Sequence, residues 1–230
     1  MANIYVTNQK AGFSTRYAFA TIAVKFTPNC EVICYKGTKK TKAMSKLGVY
    51  VFGVPEAGDW TIEVINKDNQ SIASVVRVEE RGQTFSISLY FDMILYDAEK
   101  QFSIPWDANS YSRISTDQDG ALIVMSLNTS NVGNVRSVDT YDLTPYSKLY
   151  ITYTSTLAAS TNNRFGVNAS KPGTGTGAVT KYIQHTPSEE KNTLVLDISA
   201  NENSYIGIVT VAATSTMVRS LKIYKIWAEV

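Results

Sequence analysis

Histidine and cysteine are almost absent from this 230-residue chain, which has one histidine and two cysteines. A Ser-His-Asp triad needs a histidine beside a nucleophile and an orienting acid, and no nucleophile motif surrounds His185. One histidine and a distant cysteine pair do not supply the usual four ligands of a zinc site. The sequence therefore argues against a Ser-His-Asp enzyme and against a zinc site of histidine and cysteine ligands. The position of His185 beside Pro187 predicts a surface location.

The two cysteines fall in the run Cys30-Glu-Val-Ile-Cys34. In a strand that rises about 3.3 Å per residue, they lie roughly 13 Å apart. A disulfide needs Cα atoms within about 7 Å, so we expect free thiols. Nothing in this pattern requires an oxidising compartment.

Net charge is also small, at +2. Affinity for nucleic acid comes from many concentrated Lys and Arg contacts, so we expect no nucleic-acid partner. One local cluster is interpreted as a solvated turn, with contact to an anionic polymer or to a partner's acidic face as the open alternative. It consists of Lys36, Lys39, Lys40, Lys42 and Lys46.

Long apolar runs are missing as well. The N-terminal residues lack the basic region and apolar stretch of a signal peptide, and no later window is long and apolar enough to span a bilayer. We expect the protein to be made in the cytoplasm and not to insert into a membrane.

The residues that are present favour strands. Apolar residues make up 44% and charged residues 18% of the chain, which is typical of an ordered globular protein. Tyrosine is abundant at 14 and methionine scarce at 5, and aromatic and β-branched side chains suit a pleated surface. The composition predicts an all-β protein.

The segment 46–65 gives the clearest local prediction. Val49, Val51 and Gly53 alternate with Tyr50, Phe52 and Val54, which is the period of a strand. Pro55 and Gly58 end that strand, and a second strand places Trp60, Ile62 and Val64 on one face. We interpret the segment as a β-hairpin whose Trp60 face points into a core.

Turn signals divide the rest of the chain into short strands and suggest three regions. Residues 1–18 show no sustained period and predict an N-terminal arm that frays or pairs with a neighbouring subunit. Residues 19–96 predict a sandwich of six or seven strands. Residues 97–230 predict about nine strands in a jelly roll.

Several motifs in these regions resemble those of a known family. The first module resembles small immunoglobulin-like domains of tail and accessory proteins of phages and prophages of gut bacteria, in Cys30-x-x-x-Cys34-x-x-Gly37 and Val54-Pro-Glu-Ala-Gly-Asp-Trp-Thr-Ile62. The second resembles the jelly roll that often follows them, in the stretches 141–151, 194–198, 205–208 and 221–227. The resemblance implies a virion component of the tail, baseplate or capsid surface, made in the host cytoplasm. Jelly-roll relatives include carbohydrate-binding modules, and no ligand residue of the family carries over.

Two acidic features bear on metals and catalysis. Asp117-Gln-Asp119-Gly120 has the look of an oxygen-rich calcium loop, but the twelve-residue pattern and its terminal glutamate are missing, and a turn explains it fully. A structural calcium ion here is an expectation by fold analogy alone. Scattered carboxylates, with no activating arrangement around them, predict no enzymatic activity.

Aromatic side chains are the better indication of binding. Sugars stack on exposed aromatic faces, and five aromatics of the second module fall at strand ends or loops beside two hydrogen-bond donors. The aromatics are Trp106, Tyr111, Tyr141, Tyr146 and Tyr182, and the donors are Asn109 and Arg113. Trp60 and Trp227 lie inside patterned strands and are assigned to the core.

Together these features favour a non-enzymatic phage structural protein, built into the particle as a homo-oligomer. It would contact other virion proteins and host cell-surface polysaccharide. The alternative is a free carbohydrate-binding module of a secreted glycan-degrading system. A third hypothesis, a glycan-cleaving depolymerase, needs a carboxylate pair across a groove.

Overall fold

The structure is a computed structural model that describes residues 7–8, 18–27, 29–41, 43–45, 49–127, 132–168, 179–199, 203–211 and 220–230. All regular elements in these ranges are β-strands, which confirms the all-β prediction. The described residues include no helix with the length and apolarity that a bilayer crossing needs. The chain divides into two compact units, Met1–Phe91 with Val230 and Asp92–Glu229.

The first unit has two sheets. One is ordered β1-β9-β2-β6-β5 and the other β4-β3-β7-β8. β2 and β9 run parallel, and the other pairs are antiparallel. The strands are β1 (Thr7–Asn8), β2 (Ala20–Phe26), β3 (Glu31–Lys36), β4 (Lys39–Thr41), β5 (Ala43–Ser45), β6 (Tyr50–Val54), β7 (Gly58–Ile65), β8 (Ser71–Val78) and β9 (Thr84–Leu89).

Alternate residues of both sheets form one buried core in this unit. Ile22 and Phe52 come from the five-stranded sheet, and Trp60 and Val76 from the four-stranded sheet. Trp60 is only 1% exposed, so its predicted core position is confirmed. Both cysteines are free, as expected, and burial raises the pKa of the Cys34 thiol to about 12.

The predicted hairpin at 46–65 is wrong in its pairing, although its two strands exist. β6 pairs with β2 and β5, whereas β7 pairs with β3 and β8. The segment between them therefore crosses from one sheet to the other. Alternation identifies a strand but not its neighbour, because a hairpin and a sheet-to-sheet crossing share the same pattern and the same turn residues.

The crossing segment is held by charged and polar contacts. Lys36 Nζ lies 2.9 Å from Glu56 Oε1, and Lys39 Nζ lies 2.6 Å from Glu56 Oε2. The indole Nε1 of Trp60 donates to the Glu56 carbonyl at 3.1 Å. Gly58 follows with a φ of 122°, which confirms the predicted need for glycine at this turn. Two lysines of the basic cluster thus have an acidic partner within the chain.

Only part of the predicted N-terminal arm falls within the described residues. Thr7 and Asn8 pair with Ser86 and Phe85 of β9 in the same unit. Residues 1–6 and 9–17 lie outside the described residues. At the two paired positions the arm adds a short strand to its own sheet.

The second unit also has two sheets. The seven-stranded sheet runs β11-β10-β22-β14-β13, with β17 pairing β22 and β20. The other sheet runs β12-β15-β21-β18-β19, with β16 pairing β21. The strands are β10 (Met93–Asp97), β11 (Phe102–Ser103), β12 (Trp106–Ala108), β13 (Ser112–Thr116), β14 (Leu122–Ser126), β15 (Val132–Ser137), β16 (Tyr141–Asp142), β17 (Lys148–Ser155), β18 (Arg164–Asn168), β19 (Lys181–Gln184), β20 (Ser188–Asp197), β21 (Asn203–Val211) and β22 (Ser220–Glu229).

β10 belongs to this second unit. Met93–Asp97 pairs with β22 and β11, so the unit begins at Asp92 rather than at the predicted residue 97. The finer assignment of the two units as an immunoglobulin-like sandwich and a jelly roll stays a prediction.

A register shift in β22 corrects the core assignment of Trp227. Leu221 and Ile223 are buried, but the register against β17 shifts between Lys225 and Ile223. Ile226 and Ala228 are then the buried residues, and Trp227 turns to the opposite, partly exposed face. Uninterrupted alternation from Ile223 would have placed Trp227 inside, and the sequence gives no sign of the irregularity.

Candidate functional site

The seven predicted glycan-binding residues do not converge on one site. Trp106 lies on β12, at one edge of the six-stranded sheet, and Tyr182 lies on β19 at the other edge. Four strand spacings of about 4.8 Å place these edges about 19 Å apart. Arg113 is exposed on β13 of the seven-stranded sheet. Tyr141 is half-buried on β16.

Two of the candidates serve the fold. Asn109 Oδ1 accepts hydrogen bonds from the backbone N of Tyr111 at 3.2 Å and of Asn134 at 3.1 Å. The amide oxygen therefore fixes the turn after β12 and the neighbouring strand. Tyr146 is only 5% exposed, so its ring does not present a face on which a sugar could stack. Tyr111, half-buried in the same turn, lies beside Asn109.

The calcium expectation does not fit the geometry at Asp117. Its Oδ1 accepts from the backbone N of Asp119 at 3.0 Å and of Ala121 at 2.8 Å. Its Oδ2 accepts from Lys222 Nζ at 3.0 Å. The carboxylate thus already closes a turn and pairs with an ammonium group. No group of three or more metal-ligating side chains occurs among the described residues.

The surface prediction for His185 is wrong. Its side chain is 0% exposed, and burial lowers its pKa from 6.5 to about 4 despite a hydrogen bond to the Val209 carbonyl. The residue follows β19, and its ring and the Tyr153 ring pack edge to face with centroids 5.8 Å apart. Proximity to a proline marks a strand end, but it does not determine whether that end is covered.

The best-supported binding surface lies on the outer face of β18 and β19. Tyr182 is 39% exposed, which places it among the exposed large apolar side chains of the described residues. The guanidinium carbon of Arg164 lies 4.2 Å from the centre of the Tyr182 ring. Gly166 is the register partner of Tyr182 on β18, and the buried side chain of Val179 packs over this glycine. The result is an aromatic ring with a cation at its face.

Polar groups around this ring are held in place. Arg164 Nε donates to the Thr161 carbonyl at 3.3 Å, and Arg164 Nη2 donates to Asn162 Oδ1 at 3.3 Å. Gln184, the register partner of Arg164, donates through Nε2 to the same Thr161 carbonyl at 3.1 Å. We call Tyr182, Arg164, Gln184 and Asn162 the Tyr182 site. It combines one exposed ring with guanidinium and amide groups in fixed positions.

A second aromatic group was missed by sequence reasoning, which placed Trp227 in the core and gave no role to Tyr150. The two rings stack on the outer face of the seven-stranded sheet, 4.7 Å apart and 7° from parallel. Lys225 Nζ lies 5.1 Å from the Trp227 ring. Trp227 Nε1 donates to Glu229 Oε1 at 3.0 Å. Each ring covers one face of the other, so we interpret the pair as a cross-strand contact and not as a surface on which a sugar could stack.

Comparisons with known proteins give only distant similarity. No family model matches the chain, and no curated protein sequence matches it. Among solved structures, the secreted serine protease VesC from Vibrio cholerae has 10% identity and a TM-score of 0.36, covering 96% of this chain and 47% of that chain. A carbohydrate-binding module of the β-sandwich superfamily has 11% identity and a TM-score of 0.36, covering 87% and 86%.

A third structure contains CBM51-2, in complex with GlcNAc, and INT domains from Clostridium perfringens ZmpB. It has 10% identity and a TM-score of 0.30, covering 91% of this chain and 48% of that chain. The chain thus spans about half the length of the Vibrio and Clostridium chains. The structural neighbours include carbohydrate-binding modules, and similarity at these TM-scores carries no argument about function.

Proposed function

We propose that the chain binds glycans through the Tyr182 site and catalyses no reaction. The observation that carries the proposal is the Arg164 guanidinium, 4.2 Å from the centre of the exposed Tyr182 ring on an edge strand. A sugar presents an apolar C–H face and a rim of hydroxyl groups. The tyrosine ring can stack on the apolar C–H face, and the fixed guanidinium and amide groups can hydrogen-bond to the hydroxyl groups.

The position of the site explains why it is available to a polymer. β19 pairs with β18 alone, so Tyr182 lies on an edge strand whose outer side is unpaired within the described residues. An extended chain of sugars can pass over such an edge without entering a closed pocket. A binding surface of this kind suits a long polysaccharide better than a small free ligand.

The proposal extends to the setting in which the site works. The chain is a virion component of a phage, displayed on the tail, baseplate or capsid surface as a homo-oligomer, and the glycan belongs to the host cell surface. The motif resemblance in 30–37 and 54–62 supports this setting. Many weak sugar sites on one particle give strong attachment, because linked binding events raise the effective concentration.

A glycan array probed with the full chain tests the proposed function. Binding to a restricted set of glycans, with no reducing ends released on incubation, is the expected result. Release of reducing ends would instead support the depolymerase hypothesis. Binding by a chain that remains monomeric would favour the free carbohydrate-binding module. No binding to any bacterial polysaccharide would contradict the proposal.

A further inference from the structure

β8 (Ser71–Val78) is an unprotected edge strand of the first unit. It pairs with β7 over eight consecutive register positions without a bulge, and it has no other partner among the described strands. Its sequence is Ser-Ile-Ala-Ser-Val-Val-Arg-Val, with no proline and a single charge. Val75 on its outer face is 59% exposed. Such edges pair readily with another strand.

Within the described residues, the other edge strands of this unit are short or charged. β1 has two residues, and β4 and β5 have three each. β4 also presents Lys39 and Lys40, and edge lysines discourage strand pairing. β8 is therefore the exception among the described strands of the unit, long, regular and apolar where the others are short or charged.

We propose that β8 pairs antiparallel with β8 of a second copy of this chain, about a two-fold axis at Val75. A two-fold axis perpendicular to the sheet leaves the outer faces of both copies on the same side of the joined sheet. Because the axis passes through Val75, residues whose numbers sum to 150 stand opposite each other. Val75 then faces Val75, and Ala73 faces Arg77 of the second copy. The interface gives a specific form to the proposed homo-oligomer and does not depend on glycan binding.

Charge complementarity favours this register. Glu63 of β7 is the register partner of Ala73, and it lies on the same outer face. Arg77 of the second copy therefore lies two strands from Glu63, about 10 Å at the backbone, with only a methyl side chain between them. Arg77 Nε lies 3.3 Å from Glu79 Oε1 in its own chain, and this exposed side chain can turn from Glu79 to close the gap to Glu63 of the other copy. The symmetry makes that contact twice. Placing the axis at Arg77 instead would set two like charges opposite each other.

Cysteine cross-linking tests the register directly. Opposite residues in an antiparallel pair have Cα atoms about 4.5 to 5.5 Å apart, within the range of a disulfide. Val75→Cys should form a covalent dimer when oxidised glutathione is supplied, whereas Arg77→Cys should not. The unsubstituted chain controls for its own thiols. Equal cross-linking of both variants, or none for Val75→Cys, would overturn the proposed register.

Charge exchange tests the interface in solution. In analytical ultracentrifugation of the full chain, Arg77→Glu and Glu63→Lys should each weaken self-association about tenfold, and the double variant should restore it. Circular dichroism confirms that each variant is folded. Oligomers unaffected by these changes would overturn the β8 interface but leave a homo-oligomer. A monomer at all concentrations would overturn both, and glycan binding would stand.

Discussion

His185 Nε2 lies 3.2 Å from the backbone oxygen of Val209, and the whole imidazole is enclosed. Burial disfavours the charged ring, so the folded protein holds it neutral with a pKa of about 4. The unfolded chain, with the ordinary value of 6.5, takes up the proton first as the pH falls. The second unit therefore loses stability on acidification.

The size of that loss follows from the pKa difference. The stabilisation is fully present above pH 6.5 and is lost as the pH falls to about 4, which amounts to about 3 kcal/mol of the free energy of unfolding. Urea unfolding of the full chain across this range should show the decline, and His185→Gln should reduce it. An identical pH dependence in the variant would contradict the buried neutral histidine.

Gly166 controls the position of the Tyr182 ring. A Cβ added there would lie 2.0 Å from the Lys181 carbonyl oxygen and 2.7 Å from the Tyr182 Cα, both on the backbone. Gly166→Ala should therefore displace β19, destabilise the second unit and abolish glycan binding. Gly207→Ala is the matched control, because its Cβ meets only a Val179 methyl at 3.0 Å. Equal thermal stability and equal affinity for the two variants would contradict this role.

The Tyr150 and Trp227 stack should contribute to stability and not to binding. Stacked aromatic pairs are worth about 0.5 to 1.5 kcal/mol beyond the area they bury. A double-mutant cycle with Tyr150→Ala and Trp227→Ala, followed by urea unfolding, should give a coupling of about 1 kcal/mol. A coupling near zero would show that the two rings act independently.

Glu56 should make the crossing between β6 and β7 sensitive to acid. Lys39 and then Lys36 hold the pKa of its carboxyl at about 2, below its ordinary 4.5. The stabilisation is therefore present above pH 4.5 and is lost as the pH falls towards 2. Glu56→Gln should reduce this part of the pH dependence in thermal melts. Since the lysine side chains are 34% and 60% exposed, salt should weaken the effect, and a salt-independent one would contradict it.

The sequence predicted strands better than it predicted their neighbours. The two strands of 46–65 were predicted and are observed as Tyr50–Val54 and Gly58–Ile65, because alternation of buried and exposed residues is a local property. The pairing of β6 and β7 with different sheets was missed, because partner choice depends on contacts distant in sequence. The role of Tyr150 was missed for the same reason, since its partner Trp227 lies on another strand.

The candidate site was partly predictable. Tyr182 could be proposed from its place near a strand end, but Arg164 could not, because register between β18 and β19 brings them together. Tyr146 has the same local features as Tyr182, yet one is buried and the other exposed. Local sequence identifies an aromatic at a strand end, and only the fold decides whether its face meets solvent.

The most direct test of glycan binding at the Tyr182 site compares two tyrosines that each have a cation over the ring, one on an exposed edge strand and one half-buried on a central strand. Lys191 Nζ lies 4.2 Å from the centre of the Tyr224 ring on the other sheet, the same separation as between Arg164 and Tyr182. Isothermal titration with a glycan identified on the array should show binding lost in Tyr182→Ala and kept in Tyr182→Phe and Tyr224→Ala. Full affinity in Tyr182→Ala would contradict the account.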